Sequence, residues 1–434
     1  MIRSVFKTFR LVFFISLLAG ALASPNVSAT NQSIEVLHVE GAIVPVIADY
    51  IDRGIEQAEI KGSTAVIIQL STPGGLMNTT QKIVERILNA KVPIVVYVSP
   101  AGGWAGSAGT FITLASHVAA MAPGSRIGAA TPVTMGKELS EEMKKKVTED
   151  AAAWIRSISE MRGRNPDDAE LAVREGKSYT VTEALENNLI DLQADSLESL
   201  ISQLNGMKVT LVSGEEIVLD TESYALDITE MTLAERFLHA ISDPNIAYVL
   251  LTLGSIGIIA EIYNPGALFP GIIGGISLLL AFYSLGFLDA FWGGILLILL
   301  AFGLFIGEVL TTTFGLFTAG GIAALILGSL ILFPGEAPMF QVNPWLIATV
   351  VIIVTALFAF VINRVVGAHR RQAKTGREEL VGKTALVKQA LEPEGTIFFK
   401  GERWTAISEK GRIKPGEEVI ITKVDGLILH VIKK

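Results

Sequence analysis

The chain has 434 residues, half of them hydrophobic, with a mean hydropathy of +0.50 and a formal net charge of −8. This composition is too apolar for an ordinary soluble protein and predicts membrane-spanning segments. The negative charge argues against nucleic acid as the main partner. The sequence contains no cysteine, which excludes disulfides, a thiol nucleophile and thiolate metal sites.

Residues 1–29 have the pattern of a secretory signal peptide. Arg3, Lys7 and Arg10 form a basic start, and the apolar stretch at residues 11–22 is short for a membrane span. Small residues follow it and offer two cleavage sites. The alternative is an uncleaved anchor, and in either case the segment that comes next is exported.

Residues 30–243 are predicted to form an α/β domain. Strand patterns at residues 34–39, 65–70 and 94–98 alternate with helical patterns at residues 46–60 and 77–90. This alternation predicts parallel strands that are buried on both faces. Near the end of the domain, Thr232 and Glu235 have the spacing of a capping box. The helix that they begin is predicted to lie against the membrane surface.

Residues 244–366 are predicted to form a transmembrane region of about five helices, at residues 246–262, 270–287, 291–305, 314–333 and 345–366. The loops between them carry Asp289 and Glu336, and a basic cluster follows the fifth stretch: Arg364, His369, Arg370, Arg371, Lys374 and Arg377. The positive-inside rule places that end in the cytoplasm, so an exported start requires an odd number of spans. Four spans remain the alternative if two short stretches form a re-entrant pair.

Residues 378–434 are predicted to form a small β-barrel of the OB type. Strand-like segments at residues 380–389, 395–399, 403–407 and 418–432 are separated by glycine, proline and charged turns. Short antiparallel strands in so small a unit need closure into a barrel. The segment lacks an aromatic stripe with interleaved basic residues, which favours a docking or assembly module over a nucleic-acid-binding one.

The segment at residues 101–110 contains the strongest candidate nucleophile, Ser107. It follows a predicted strand and precedes an apolar helical stretch, so its hydroxyl is expected at a helix N-terminus that favours developing negative charge. Ala105 occupies the first glycine position of Gly-x-Ser-x-Gly, which argues against an α/β-hydrolase elbow. The alternative explanation is that these small residues merely allow tight helix packing.

A serine nucleophile needs a base, and the histidines form no obvious Ser-His-Asp set. His117 lies ten residues after Ser107, roughly 15 Å away along a shared helix at ~1.5 Å per residue, whereas His38 stays open as a candidate. The others are His239, His369 and His430.

A lysine is therefore the better candidate base. Lys144 and Lys146 flank the apolar stripe of a predicted helix, and desolvation at such an edge lowers the pKa of a lysine towards neutrality. Lys145 points away from the stripe and is expected in solvent. The alternative is an exposed run of charge, and the pattern alone does not choose between Lys144 and Lys146.

A turn of Thr-Pro-Gly-Gly at residues 72–75 follows a predicted buried strand. The amides of Gly74 and Gly75 can approach a substrate closely and donate to an oxyanion. The alternative is an ordinary turn between a strand and a helix.

Four motifs together resemble the long form of the NfeD family, membrane-bound serine proteases with a ClpP-type (crotonase-like) domain and a C-terminal OB-like NfeD domain. They are Thr-Pro-Gly-Gly at 72–75, Ala-Gly-Ser-Ala-Gly-Thr at 105–110, Met-Ala-Pro-Gly at 121–124 and Ile-Gly-Ala at 127–129. The resemblance covers nearly the whole chain. It departs from the family at Ser71, where aspartate is frequent.

The resemblance implies a Ser–Lys dyad with Ser107 as nucleophile and Lys146 as base, since Lys146 keeps the family's distance to Gly-Arg-Asn at 163–165. Gly74, Gly75 and the amide of Ala108 match the oxyanion hole. No cofactor or metal is implied. The family is also associated with stomatin- and flotillin-like membrane proteins.

The expected function is a membrane-bound serine endopeptidase that cleaves apolar segments of membrane-associated proteins and is linked to a stomatin- or flotillin-like partner. A homo-oligomer in the cell membrane is expected, with the protease domain outside and the C-terminal domain in the cytoplasm. One alternative is a membrane scaffold for flotillin-like proteins with little proteolysis. Another is a non-hydrolytic crotonase-type enzyme acting on acyl-CoA, which export disfavours because CoA is cytoplasmic.

The topology can be tested with reporter fusions. The exported start and the basic cluster after residue 366 predict that a reporter at residue 200 lies outside the cell and one at residue 400 lies inside. Activity of both reporters on the same side of the membrane would contradict the five-span count.

Overall fold

The computed structural model describes residues 32–133, 140–263, 266, 268–288, 290–311, 315–333, 341–369 and 377–434. The predicted signal peptide, Asp289, Glu336 and the basic residues at 370–376 lie outside these ranges, so the expectations placed on them stay predictions. The chain divides into two compact units. One comprises the chain up to Gly303 together with Gly321–Val350, and the other comprises Leu304–Gly320 together with Val351–Lys434.

The N-terminal domain alternates strands and helices, as its hydrophobic pattern predicts. In chain order its elements are β1 (Gln32–Glu40), α1 (Pro45–Lys61), β2 (Ala65–Ser71), α2 (Met77–Leu88), β3 (Ile94–Val98), β4 (Trp104–Gly106), α3 (Ala108–Ala115), β5 (Val118–Met121), β6 (Arg126–Gly128), α4 (Glu141–Met161), α5 (Pro166–Arg174), β7 (Ser178–Thr180), α6 (Val181–Glu186), β8 (Leu192–Gln193), α7 (Leu197–Leu204), β9 (Lys208–Thr210), β10 (Glu216–Val218), β11 (Tyr224–Thr229) and α8 (Leu233–Ile241).

Six of these strands form one sheet in the order β11-β1-β2-β3-β5-β8, and every neighbouring pair is parallel. Alternate side chains of a strand point to opposite faces, so Leu37 and Val39 enter one buried cluster while Ile34 and Val36 enter another. The prediction of parallel strands buried on both faces is thereby confirmed. A second, three-stranded sheet, β4-β6-β7, stands beside the helix α3.

Helix α8 links this domain to the apolar helices. Its capping box is formed, since the Glu235 amide donates to the Thr232 hydroxyl at 3.2 Å and the Thr232 amide donates to the Glu235 carboxylate at 2.7 Å. That carboxylate also accepts a hydrogen bond from Arg53 of α1. At the other end of α8, the Ile241 carbonyl accepts a hydrogen bond from the Ser284 hydroxyl in the apolar region.

Five apolar helices follow: α9 (Pro244–Tyr263), α10 (Phe269–Phe287), α11 (Trp292–Leu310), α12 (Leu316–Ile331) and α13 (Pro344–His369). Within the described residues, four are long and apolar enough to cross a membrane, and α12 falls short of this length at 16 residues. At ~1.5 Å per residue α12 measures roughly 24 Å, against a hydrocarbon core of ~30 Å. The choice between four and five spans therefore depends on α12.

Glu308, to which the sequence assigned no role, caps the short helix α12. Glu308, near the end of α11, is buried, and its two carboxylate oxygens accept hydrogen bonds from the amides of Gly315 at 2.9 Å and Thr318 at 3.1 Å. The first turn of a helix has free amides, and a carboxylate satisfies them at low energetic cost. Glu308 therefore stabilises the start of α12.

The C-terminal unit contains a closed five-stranded barrel in the order β12-β13-β14-β16-β15. Its strands are β12 (Thr384–Gln389), β13 (Glu394–Phe399), β14 (Glu402–Ser408), β15 (Glu418–Asp425) and β16 (Ile428–Lys433). The barrel prediction is confirmed, with two corrections. Strands β14 and β16 pair in parallel, whereas antiparallel strands were predicted. The predicted strand at residues 418–432 is two strands, because Gly426 turns the chain with a φ of 60°.

One buried hydroxyl joins three elements of the α/β domain. The Tyr50 hydroxyl of α1 donates to the Thr229 carbonyl of β11 at 2.6 Å and accepts from the His38 amide of β1 at 3.1 Å. Burial raises the pKa of Tyr50 above its ordinary value, so the hydroxyl keeps its proton. The edge strand β11 is thus fixed by α1 as well as by β1.

Tyr50→Phe should loosen β11, because it leaves a buried carbonyl without its hydrogen bond and removes the acceptor of the His38 amide. We expect a loss of about 1–3 kcal/mol in local stability. It would be measured as faster amide exchange in β11 of the full-length protein. Tyr97→Phe is the control, since that buried hydroxyl only donates, to the Ala194 carbonyl at 2.8 Å. Equal exchange in β11 of both variants would contradict the assignment.

Candidate active site

Ser107 lies at the sharp turn between β4 and α3. It is the residue before the first turn of α3, with φ 49° and ψ −110°, and its side chain makes no capping hydrogen bond. Positive φ in a residue with a side chain costs of order 1–3 kcal/mol and persists only where the surroundings enforce it. The hydroxyl is half-buried at the helix N-terminus, as the sequence predicts.

Hydrogen bonds around the turn hold this conformation. The Ser107 amide donates to the Gly128 carbonyl of β6 at 3.0 Å, and the Ser107 carbonyl accepts from the Thr110 amide at 3.0 Å. The buried Thr110 hydroxyl lies 3.0 Å from both the Ala105 and Gly128 carbonyls and accepts from the Gly128 amide at 3.1 Å. Sequence reading assigned Thr110 no role. Its place three residues after the serine, in the first helical turn, was the available signal.

The Thr-Pro-Gly-Gly turn is hydrogen-bonded directly to the strand that leads into the Ser107 turn. The Thr72 amide donates to the Trp104 carbonyl at 2.6 Å, and the Gly106 amide donates to the Thr72 carbonyl at 2.9 Å. Gly109 permits this approach, because a Cβ there would lie 2.7 Å from Thr72 Cγ2. The structure therefore brings two of the predicted motifs together.

Two backbone donors near Ser107 are free. Among the described residues, neither the Gly75 nor the Ala108 amide donates a hydrogen bond. The Gly74 amide, in contrast, donates to the Thr72 hydroxyl at 3.0 Å, and Gly74 has a φ of 135° that suits a glycine. Gly75 and Ala108 are thus available to an oxyanion, whereas Gly74 shapes the turn.

The predicted lysines lie in the first turns of α4. Helices α3 and α4 run in the same direction, since Phe111 stacks on Trp154 at 4.6 Å and Arg162, just after α4, donates to the Ala115 carbonyl at 2.8 Å. The start of α4 therefore extends towards the Ser107 end of α3.

The three lysines differ in exposure. Lys144 is half-buried and lies 3.7 Å from Glu141, whereas Lys145 and Lys146 are exposed. Within the described part of the chain, the side chain of Lys146 makes no ion pair or hydrogen bond, with Ser107 or any other residue. The apolar stripe beside it is also partly uncovered, with Met143 46% exposed.

His117 is not placed to act as the base for the Ser107 hydroxyl. His117 follows the C-terminal end of α3, opposite Ser107, and its Nδ1 accepts a hydrogen bond from the Ile94 amide at 3.1 Å. Burial, helped by the charges of Arg162 and Arg164, lowers the pKa of His117 to about 3. His38 is exposed on β1, and His430 lies in the barrel. No group of three or more metal-ligating side chains occurs among the described residues.

Three family models match the chain in succession: the N-terminal domain of NfeD1b over residues 33–208, the NfeD integral membrane domain over 245–364, and the NfeD-like C-terminal, partner-binding domain over 377–433. The chain is 38% identical over 423 residues to the membrane-bound protease PH1510 of Pyrococcus horikoshii, which covers 95% of this chain and 96% of that one. It is 28% identical over 454 residues to the membrane protein NfeD1b of Bacillus subtilis, covering 96% and 95% respectively.

Among solved structures, the chain is similar to 1510-N, a membrane-bound stomatin-specific protease, in a lysine-to-alanine mutant with a bound substrate peptide. The TM-score is 0.46 at 32% identity, covering 49% of this chain and 98% of that one. These comparisons define a membrane protein with a protease-like domain in front of its apolar helices. The chain belongs to the NfeD family, and the predicted resemblance and three-part fold class are confirmed.

The pKa of His117 predicts how stability depends on pH. An unfolded histidine binds a proton near pH 6.5, whereas the folded one resists protonation down to about pH 3, so stability falls as the pH drops below 6.5. His117→Asn should flatten this dependence between pH 6.5 and 4. Thermal unfolding of the full-length protein across that range is the measurement, with His430→Asn as the surface control. Parallel curves for the wild type and His117→Asn would contradict the prediction.

Proposed function

We propose that the chain is a membrane-bound serine endopeptidase that cleaves apolar segments of membrane-associated proteins with Ser107 and Lys146 as its dyad. The observation that carries this proposal is the Ser107 turn, where a serine at positive φ stands beside the free amides of Gly75 and Ala108. The 38% identity to a membrane-bound protease supports peptide hydrolysis as the reaction. The name of 1510-N supports a stomatin-like partner or substrate.

In the proposed reaction, neutral Lys146 removes the proton of the Ser107 hydroxyl as its oxygen attacks the scissile carbonyl. The negative oxygen of the tetrahedral intermediate accepts hydrogen bonds from the Gly75 and Ala108 amides, and the N-terminus of α3 adds favourable electrostatics. Protonated Lys146 then gives its proton to the leaving amine. Water, deprotonated by the same lysine, hydrolyses the acyl-enzyme and releases Ser107.

The exposure of Lys146 sets a condition on this mechanism. A lysine accepts a proton near neutral pH only when desolvation lowers its pKa, and in the single chain Lys146 lies in solvent. The partly uncovered stripe at Met143 and Val147 offers an apolar surface next to it. We therefore propose that the substrate or a second copy of the chain covers the start of α4 in the active homo-oligomer.

The apolar helices suit attachment to the membrane, and the C-terminal barrel suits the binding of a partner protein. The apolar helices anchor the protease domain, which we place on the outer face of the cell membrane, and the barrel, which we place in the cytoplasm, binds a stomatin- or flotillin-like partner. The description of the matching C-terminal model as partner-binding supports this role.

A scaffold with little proteolysis is the second candidate function. The exposed Lys146 and the partner-binding C-terminal model favour it. The relatives named above are a protease and a membrane protein, and neither supports the acyl-CoA alternative. A scaffold would keep its cellular role in a Ser107→Ala chain, whereas a protease would lose it.

Ser107→Ala should abolish cleavage of peptides from the apolar segment of a stomatin-like protein, by on the order of 10⁴-fold or more, while folding and membrane insertion stay intact. The assay uses the full-length protein in vesicles, with mass spectrometry to identify the products. Unchanged cleavage would place the nucleophile elsewhere.

Lys146→Ala should be as inactive as Ser107→Ala, because the two residues act as a unit. Lys144→Ala and Lys145→Ala are matched controls on the same turn and should retain most activity. Cleavage by the wild type should rise with pH as the lysine loses its proton. An inactive Lys144→Ala beside an active Lys146→Ala would show that the family's register does not hold in this chain.

A further inference from the structure

A cleft separates the α/β domain from the start of the first apolar helix. Its volume is about 420 Å³, and most of its lining is small or apolar: Gly41, Ala42, Val44, Pro73, Ala240, Pro244 and Ile246. Its polar residues are His239, Ser242 and Asp243. The charged residue in the lining is Asp243, whose carboxylate accepts hydrogen bonds from the Asn245 and Ile246 amides at 2.8 and 3.3 Å. One oxygen of that carboxylate, Oδ1, therefore caps the start of α9, and the cleft is a mainly apolar groove with a few polar residues.

One wall of the cleft is an unpaired strand edge. Residues 41–44 extend β1, and the amides of Gly41 and Ile43 donate to the Ser71 and Gly74 carbonyls at 3.0 and 2.8 Å. Alternate residues of an extended chain direct their amides to opposite sides, so Ala42 and Val44 direct theirs away from that turn. Neither amide, nor the Ala42 carbonyl, has a hydrogen-bond partner in the described residues.

The edge is open because the neighbouring strand stops short. Strand β11 pairs with β1 only as far as Leu37 and Thr229. Beyond that point the same side of the β1 extension faces the cleft, since both Ala42 and Val44 line it. An unpaired amide and carbonyl on a strand edge are the template on which an added peptide strand pairs. Ala42 offers both on a partly exposed residue, whereas Val44 is 1% exposed.

The cleft also connects two places that matter for the proposed function. Pro244 and Ile246 in its lining belong to the start of α9, where the chain enters the apolar region. Pro73 lies at the opposite side and directly precedes the glycines of the candidate oxyanion turn. A segment in the cleft would therefore run from the membrane towards Ser107.

We infer that this cleft binds an extended, uncharged segment of a membrane protein, as an added β-strand, where that segment leaves the bilayer. This inference rests on the proposed peptidase function and names where its substrate is held outside the catalytic turn. Backbone pairing with the partly exposed Ala42 gives affinity without a strict sequence motif. The mainly apolar lining disfavours charged side chains, because they would lose most of their hydration there.

The test uses the full-length protein in phosphatidylcholine vesicles and two substrates with the same scissile segment. One is a short soluble peptide, and the other continues into an apolar helix anchored in the vesicle. Ala240→Trp fills the cleft, and Ala234→Trp, exposed on the same helix but outside the cleft lining, is the control. Ala240→Trp should raise KM for the anchored peptide about tenfold, equivalent to ~1.4 kcal/mol, and leave the soluble peptide and kcat unchanged.

Equal KM values for the anchored peptide in the wild type and Ala240→Trp would overturn the inference. A second measurement places a photoreactive benzophenone side chain at position 240 of the Ser107→Ala chain. It should crosslink to the anchored peptide, and crosslinking to phosphatidylcholine alone would also overturn the inference. If the wild type cleaves neither peptide, the proposed function fails, and the crosslink still decides whether the cleft holds an apolar segment.

Discussion

The candidate site depends on the pair of hydrogen bonds between Thr72 and the strand before Ser107. Residues 72 and 105 are far apart in the sequence, yet their backbones form a short parallel bridge with donor–acceptor distances of 2.6 and 2.9 Å. This bridge joins the turn that carries the free amide of Gly75 to the strand that precedes Ser107 and Ala108. It also requires glycine at position 109, where a side chain would collide with Thr72. Without the bridge, the serine would stand at a helix end with a single free donor.

A serine held in a strained turn is only half of the proposed chemistry. The backbone donors lie in a turn that is bridged to Ile43 and in the first turn of a buried helix, whereas the lysine lies on an exposed part of α4. The proposed mechanism therefore requires an apolar group to cover this lysine before the lysine can accept a proton. In this protein the control of activity would lie in the assembly of the site rather than in its individual residues.

The sequence was sufficient for most of the architecture because the relevant patterns are local. Periodicity located β1, β2 and β3, the capping spacing of Thr232 and Glu235 located α8, and apolar length located the apolar helices. Periodicity did not locate β5 and β8, which are short, or β11, which is mostly not buried. The turn at Gly426 was missed because a glycine within a strand pattern also occurs in continuous strands. Glu308 was missed because the groups it satisfies belong to the start of the next helix, and no local pattern shows that partnership.

Ser107 and the Gly74–Gly75 turn were predictable from residue type and position, but the division of roles between the two glycines was not. The amide of Gly74 donates a hydrogen bond to the Thr72 hydroxyl and is therefore not free. Whether that bond forms depends on the backbone conformation of the turn. The choice among Lys144, Lys145 and Lys146 was equally beyond a pattern. Helical spacing defines which lysine stands near an apolar stripe, but it does not define what covers that stripe.

The attachment of α8 at both ends has a geometric consequence for substrate choice. One end is tied to α1 through Arg53 and Glu235, and the other is tied to α10 through Ser284 and the Ile241 carbonyl. The protease domain is thus braced against the apolar helices and does not swing freely on a linker. For the proposed peptidase, this attachment would hold Ser107 at a fixed distance from the bilayer, and that distance, rather than a sequence motif, would determine where an emerging substrate is cleaved.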